Sequence, residues 1–213
     1  MKIKLLILPL SMMMASSSFA ATSIFGSYIN VTSTNFNSGA AVWYDAQIPG
    51  GSRASDPADF NAFNFGVYNP SAGGALDLTG GEVLTSKGGP PDDITGATIS
   101  YRVYPVGPPS GSFTAIAIAF TANATFADAA STAYSTPGDQ KWSNGVGTTN
   151  LLTGLSNGDY QVEVFLQAAS NTGTIFSNNG GGNFIASFRV IPEPSSALLG
   201  LLGGLALLRR NRR

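Results

Sequence analysis

The sequence contains neither cysteine nor histidine among its 213 residues. A chain without cysteine cannot form disulfides, so its stability must come from burial, backbone pairing or bound ions. A chain without histidine lacks the commonest general base, the commonest transition-metal ligand and the usual switch near neutral pH. Charged residues are also sparse, at 11% of the chain. These absences argue against histidine-dependent catalysis and against a disulfide-stapled fold.

The interior of the chain carries little positive charge. Between residues 21 and 191 there are five basic and eleven acidic side chains, a net charge of −6. An acidic domain without a basic cluster offers nucleic-acid phosphates no counter-charge, so we expect no nucleic-acid partner. Roughly 170 residues are enough for one domain with a sizeable core.

The first twenty residues have the pattern of a signal peptide. Two lysines among the first four residues precede an apolar stretch at 5–14, and small residues follow at 18 and 20. We expect signal peptidase to cleave between Ala20 and Ala21. The alternative is an uncleaved membrane anchor, but the apolar stretch is well short of the ~20 residues that a spanning helix needs.

The last residues have a different composition from the rest. Pro192-Glu193-Pro194 precedes twelve apolar residues, Ala197 to Leu208, and an arginine-rich end at 209–213. Twelve residues of helix span only about 18 Å, which also suits a buried core helix or an interfacial segment. The segment is apolar all round, however, and a helix from Pro194 to Arg210 would reach about 25 Å. We therefore expect one short transmembrane helix.

The basic end sets the orientation of this helix. Arg209, Arg210, Arg212 and Arg213 act as a stop-transfer signal by the positive-inside rule. The C-terminus is then cytoplasmic, and the domain that precedes Pro192 lies outside.

Motif, apolar segment and basic end together resemble the PEP-CTERM sorting signal of Gram-negative bacteria that make extracellular polysaccharide. The resemblance covers about a tenth of the chain. It implies export by the Sec machinery, transient retention in the inner membrane, recognition of Pro192, Glu193 and Pro194 by exosortase, and release or transfer to the cell surface. The expected organisation is a signal peptide at 1–20, one domain at 21–190 and a sorting signal at 191–213.

The interior reads as an all-β domain of the antiparallel β-sandwich or jelly-roll-like class. Apolar residues alternate with period two at 97–106 and 113–121, which we expect to pair as a hairpin, and again at 160–166 and 184–191. Shorter strand candidates are 27–33, 41–45, 63–68, 75–79 and 82–85. No interior segment has an apolar stripe of period 3.6, and 128–134 is expected to form at most a turn or two.

One segment resembles a pattern of surface modules. Residues 151–166 read LLTGLSNGDYQVEVFL. This is similar to the "GL-x-x-G-x-Y-x-V-x-V" pattern of immunoglobulin-like or fibronectin-like domains, in which the tyrosine begins a late strand and packs on the preceding corner. The resemblance implies that Tyr160 has this place, and it implies no chemistry.

Carboxylates provide the candidates for metal binding and catalysis. Asp92 and Asp93, in a Gly/Pro-rich loop, are a weak calcium candidate, since adjacent loop aspartates are more often solvated turn formers; the same holds for Asp56 and Asp59. Glycoside hydrolysis needs two carboxylates flanking one bond. The interior has only two glutamates, Glu82 and Glu163, and Glu163 is expected on the outward face of its strand. We therefore expect neither an enzyme nor a cofactor.

Aromatic residues suggest a second function. Trp142, which is flanked by polar turn residues and is the better candidate for an exposed ring, could bind sugar rings together with Trp43 and Tyr44, as could Tyr68 and Tyr104. The alternative, which the sequence favours, is that these side chains pack in the core. The leading functional expectation is an exported surface or matrix protein processed by exosortase. The alternative is a carbohydrate-binding module that acts on exopolysaccharide.

Overall fold

The computed structural model describes residues 21–47, 57–88 and 92–192, and in these ranges the protein is built from β-strands. Three single 3-10 turns, at 37–39, 70–72 and 179–181, are the helical elements described. The strands run in chain order as follows: β1 (Ser23–Ser33), β2 (Val42–Asp45), β3 (Asn64–Tyr68), β4 (Leu76–Ser86), β5 (Ile94–Pro105), β6 (Thr114–Ile118), β7 (Phe120–Asn123), β8 (Phe126–Ala127), β9 (Ala133–Tyr134), β10 (Asp139–Asn150), β11 (Gly158–Ser170), β12 (Gly173–Ser177) and β13 (Phe184–Val190).

These strands form two large sheets. Sheet A has the order β2-β1-β4-β10-β7, and all its pairs are antiparallel. Sheet B has the order β3-β13-β11-β5-β6, with β12 also paired to β11, and only the β13–β3 pair is parallel among the pairs described. The short strands β8 and β9 form a separate hairpin. The all-β class is confirmed; sheet A is antiparallel throughout, whereas sheet B is mixed.

The inner faces of the two sheets share one apolar core. Along β11, Tyr160, Val162, Val164 and Leu166 are buried in it, as the period-two pattern predicts. The core also receives Ile29, Val31, Leu78 and Val83 from sheet A, and Ile99, Phe184, Ala186 and Phe188 from sheet B. Full burial of a Val, Leu or Phe side chain contributes about 1.5–3 kcal/mol, so this shared core is the main stabilising feature.

Strand β4 contains a pair of glycines, Gly80 and Gly81, where it faces the other sheet. The sequence predicts two strands, 75–79 and 82–85, separated by Gly80-Gly81, but the structure has one continuous strand. The glycines pair with β1 on one side and β10 on the other. A Cβ at Gly81 would lie 3.0 Å from Ile118 Cδ1 of the other sheet. The absence of a side chain at Gly81 therefore lets the two sheets approach each other. The predicted break between strands 75–79 and 82–85 is wrong.

The predicted hairpin of β5 with β6 is confirmed, but its second strand is shorter than expected. Tyr101 pairs with Thr114, and Ala97 pairs with Ile118. The alternating run then divides: Ile118 stays in the core as part of sheet B, whereas Phe120 begins β7 of sheet A. The chain thus passes from one sheet to the other within two residues.

Tyr160 has the place that its pattern predicts. It lies at the beginning of β11, and its hydroxyl donates a hydrogen bond to Ser156 O at 2.9 Å. Its ring stacks on Phe188, with centroids 5.7 Å apart and planes 17° from parallel. The tyrosine therefore fixes the corner that precedes the strand.

Strand β10 is the largest element that the sequence does not predict. Polar turn residues flank Trp142 in the sequence, but Trp142 lies inside β10, between β4 and β7. The Asn144-Gly145 dipeptide suggests a turn locally, yet both residues pair with β4. The segment 128–134 was expected to form at most a turn or two, and its end is instead strand β9.

Candidate functional site

A groove lies where the chain passes from β6 to β7. We name it the β6–β7 groove; its volume is about 330 Å³, and its walls include Thr98, Ala117, Ile118, Phe120, Trp142 and Gln167. Small-molecule pockets typically have about 300–1,000 Å³, so this groove is at the low end of that range. The groove has room for one small ligand unit.

Two aromatic rings form one wall of the groove. Phe120 and Trp142 meet edge to face, with centroids 5.3 Å apart and an interplanar angle of 73°. Trp142 is 8% exposed and belongs to the core, whereas Phe120 is 50% exposed. The phenyl ring therefore presents an apolar surface to solvent on a rigid support.

Two polar atoms of the groove residues lack partners among the described residues. Trp142 Nε1 and Thr98 Oγ1 are both shielded from solvent and make no hydrogen bond. A buried polar group without a partner costs about 1–3 kcal/mol. Groups of this kind call for an explanation, and an indole N–H can act only as a donor.

The aromatic residues predicted to form a sugar-binding surface do not come together on a surface. Tyr44, Tyr68 and Tyr104 are buried, Trp142 packs in the core, and Trp43 is half-buried on the edge strand β2. Burial, with a smaller contribution from the neighbouring Tyr68, raises the pKa of Tyr44 to about 12. Burial also raises the pKa of Tyr68. Packing, the favoured alternative, is what the structure has for four of the five.

The two interior glutamates lie on different sheets and do not share a site. Glu82 is on β4 of sheet A, and its neighbour Val83 points into the core. Glu163 is on β11 of sheet B, between the core residues Val162 and Val164. Both glutamates thus face outward on opposite sides of the shared core. They cannot flank one glycosidic bond, as that chemistry requires.

Glu163 faces outward as predicted, yet it is buried. Arg102 binds it in a fork, through Nη2 at 2.7 Å and Nε at 2.8 Å to Oε2. Asn183 Nδ2 donates to Oε1 at 2.5 Å, and the Arg102 guanidinium lies over the Phe113 ring, 4.3 Å from its centroid. Burial raises the pKa of Tyr104, and the negative charge of Glu163 adds to this. The carboxylate is fully engaged by its neighbours.

Glu82 is covered on the other side of the molecule. Lys141 Nζ lies 2.9 Å from Glu82 Oε2, and the Ala129 N–H donates to Oε1 at 2.8 Å. Lys141 also donates to Ala127 O at 2.6 Å. Glu82 and Lys141 therefore anchor the β8–β9 hairpin, which lies over sheet A.

Asp128 organises that hairpin. Its Oδ2 accepts from the hydroxyls of Tyr28, at 3.1 Å, and Tyr134, at 3.0 Å. Its Oδ1 accepts from the backbone N–H groups of Ala130, at 3.0 Å, and Thr132, at 2.7 Å. Four donors on one carboxylate are typical of a structural aspartate that shapes a turn.

The Asp93 carboxylate has contacts of its own. Its Oδ1 accepts from the Ile94 N–H at 2.9 Å, lies 3.4 Å from Gln140 Nε2, and lies 3.9 Å from Lys87 Nζ. The neighbouring Asp92 is half-buried. Calcium at Asp92 and Asp93 stays a prediction.

Acidic side chains do not cluster elsewhere in the described ranges. Asp59 is exposed and forms a single backbone bridge with Asp45, while Asp56 lies outside the described residues. Across 21–47, 57–88 and 92–192, no three His, Cys, Asp or Glu side chains are grouped so that they could hold a metal ion.

The sorting residues are described only in part. Pro192 is exposed, follows β13 by two residues, and its carbonyl accepts from Asn69 Nδ2 at 3.4 Å. Ala21 is exposed. Outside the described part of the chain lie the signal peptide 1–20 with Ala20, the apolar segment 197–208, and Glu193, Pro194, Arg209, Arg210, Arg212 and Arg213. Within the described part, no helix is long and apolar enough to span a bilayer.

No protein-family model matches this chain, and no curated protein has a significantly similar sequence.

The groove was missed by sequence reasoning, although one signal for it was present. The pattern places Ile116, Ile118 and Phe120 on one face of a single strand. The small Ala119 between the last two is where the chain changes sheets, and this separates Phe120 from the core. An aromatic residue that ends an alternating run just before a polar segment is the available clue.

Proposed function

We propose that this protein is an exported surface or extracellular-matrix protein of a bacterium that is sorted through a C-terminal PEP-CTERM signal and processed by exosortase. The two packed sheets serve as a β-sandwich or jelly-roll-like domain that the signal delivers. The domain itself is not an enzyme in this proposal. At the cell surface the domain is a component of the surface or of the extracellular matrix. In the alternative, it is a carbohydrate-binding module that binds exopolysaccharide.

The supporting observation is how the domain ends. The last strand, β13, ends at Val190, and the Ile191 N–H donates to Tyr68 O at 2.9 Å. Pro192 follows at once and is exposed, with its carbonyl held by Asn69. Pro192, the first residue of the motif, is thus exposed where the sheet ends, and this supports processing at this end of the domain.

The burial of polar groups supports a structural role. The two interior glutamates are each paired with a cation and with a further donor. Asp128 is satisfied by four donors. A general acid or base must be free to exchange a proton with substrate. Carboxylates engaged in this way stabilise a fold instead.

Exchange of the four terminal arginines for serine tests the sorting proposal. If Arg209, Arg210, Arg212 and Arg213 halt translocation, the variant will change its destination and lose its normal C-terminal trimming. The matched control is Arg189→Ser, which removes an exposed arginine close to the motif but outside the signal. A four-serine variant that is delivered and trimmed like the native protein would contradict the proposal.

A further inference from the structure

We propose that the β6–β7 groove is a binding site for a neutral saccharide unit. The inference rests on the groove alone and is independent of how the protein is sorted.

The first argument is a buried polar atom without a partner. Trp142 is more than nine-tenths buried and lines the groove, and its Nε1 makes no hydrogen bond among the described residues. Thr98 also lines the groove, but it alternates with the core residues Ala97 and Ile99, so its hydroxyl projects from the outward face of sheet B. A ligand that reaches the indole N–H must offer an acceptor, because this group can only donate. A sugar hydroxyl is such an acceptor.

The second argument is the apolar wall. Phe120 is half-exposed, and the edge-to-face contact with Trp142 fixes its ring. The groove wall continues with the apolar side chains of Ala117 and Ile118. A pyranose ring has one face of C–H groups and a rim of hydroxyls, which matches a wall of this kind beside a few polar groups.

The third argument is charge. The residues that line the groove in the described part of the chain are apolar or neutral, and Gln167 adds a side-chain amide that can donate and accept. A charged sugar, such as a uronate, would lose its hydration there without gaining a counter-charge. The site therefore favours neutral hexoses over acidic ones.

The chain offers an unusually direct spectroscopic test, because it contains only two tryptophans, Trp43 and Trp142. We would titrate the purified, ¹⁵N-labelled full chain with cellohexaose, with maltohexaose and with an oligomer of galacturonate. The indole N–H signal of Trp142, assigned by its loss in Trp142→Phe, should shift with at least one neutral oligosaccharide. The Trp43 signal should stay in place, and the galacturonate oligomer should shift neither.

Two variants locate the site. Phe120→Ala should weaken binding about tenfold or more, since a loss of about 1.4 kcal/mol corresponds to tenfold. The matched control is Val67→Ala, which removes an apolar side chain of 49% exposure on β3, at the opposite edge of sheet B from β6, and should change affinity less than twofold.

Three outcomes would overturn the proposal. The first is that no neutral oligosaccharide shifts the Trp142 signal at millimolar concentration. The second is that binding in Phe120→Ala stays within twofold of the native value although the spectrum shows a folded chain. The third is that an extended Ser/Thr-rich hexapeptide shifts the Trp142 signal and the sugars do not, which would make the groove a peptide site.

Discussion

The two outward faces of the molecule each carry one buried glutamate, and they bury it by different means. On sheet A, Glu82 is covered by the β8–β9 hairpin, which donates the Ala129 N–H, and its other oxygen pairs with Lys141. On sheet B, Glu163 is covered by side chains, since Arg102 and Asn183 bind its two oxygens. The same residue type at the same kind of position is thus buried by a chain segment and a lysine in one case and by side chains alone in the other.

This difference teaches what period-two patterning can establish. Alternation fixes the side of the sheet from which a side chain projects, and it was right for Glu163. It is silent on what lies over that side. A hairpin brought from elsewhere in the chain, or an arginine on a neighbouring strand, turns an outward position into a buried one.

The largest effect is expected from removing the cation on sheet B. Arg102→Ala leaves Glu163 buried without its partner, and breaking a buried ion pair costs about 3–5 kcal/mol. The matched control is Arg189→Ala, whose pair with Asp159 is well exposed, at 58% and 60%, and contributes about 0–1 kcal/mol. Denaturant unfolding measures both differences.

A double replacement sharpens this comparison. If the cost of Arg102→Ala comes from the uncompensated charge, then Arg102→Met combined with Glu163→Leu should recover most of the lost stability. Equal losses in Arg102→Ala and Arg189→Ala would show that the Glu163 pair is screened by water and not buried.

The next largest effect is expected on the sheet A side. Asp128→Ala removes an acceptor for two tyrosine hydroxyls and two backbone N–H groups, and we expect a loss of about 2–3 kcal/mol. Since Asp128 shapes the hairpin that covers Glu82, amide hydrogen exchange should rise in 126–134. It should stay unchanged around Glu163, because the hydrogen bonds of Asp128 lie on the sheet A side. Equal exchange increases on both faces would contradict the distinction between them.

A smaller effect is expected at the corner before β11. Tyr160→Phe removes the hydroxyl that donates to Ser156 O but keeps the ring on Phe188, so the loss should be about 0.5–1.5 kcal/mol. Thermal unfolding of this variant measures it. An unchanged midpoint would mean that the corner is held by ring packing alone.

The smallest expected effect concerns the ionisation of Tyr44, which changes stability only at alkaline pH. Burial raises its pKa from 10.0 to about 12 in the folded protein. Between these values the unfolded chain loses the phenolic proton while the folded chain keeps it, so stability is constant below pH 10 and falls as pH rises above it. Tyr44→Phe should flatten this alkaline decline in denaturant midpoints measured from pH 9 to 11. A decline that is equally steep in the variant would assign it to other groups.

Much of the fold follows from the sequence, and what does not follow has a physical cause. The strands β5, β11 and β13 carry clean alternation, because each has one face in the core and the other outside. Strand β10 has no such pattern, and its Asn-Gly dipeptide suggests a turn. It is a strand because β4 and β7 on either side satisfy its backbone groups. Pairing between distant segments overrides local preference here.

The candidate site likewise depends on contacts between distant segments of the chain. Trp142 could be recognised as a packing residue, which the sequence favoured, but its groove needs Thr98 and Gln167 from the other sheet. These residues are brought beside it by the change of sheet between β6 and β7. No local pattern encodes that juxtaposition. The two glutamates show the reverse case, since a pair that looks available in the sequence is separated by the whole core.

Mass spectrometry of the mature protein from its native host tests the central proposal most directly, because it reports both ends of the chain at once. We predict a mass that begins at Ala21 and ends close to the Pro192-Glu193-Pro194 motif, without the arginine-rich end. A mature protein that keeps residues 209–213 would contradict processing by exosortase.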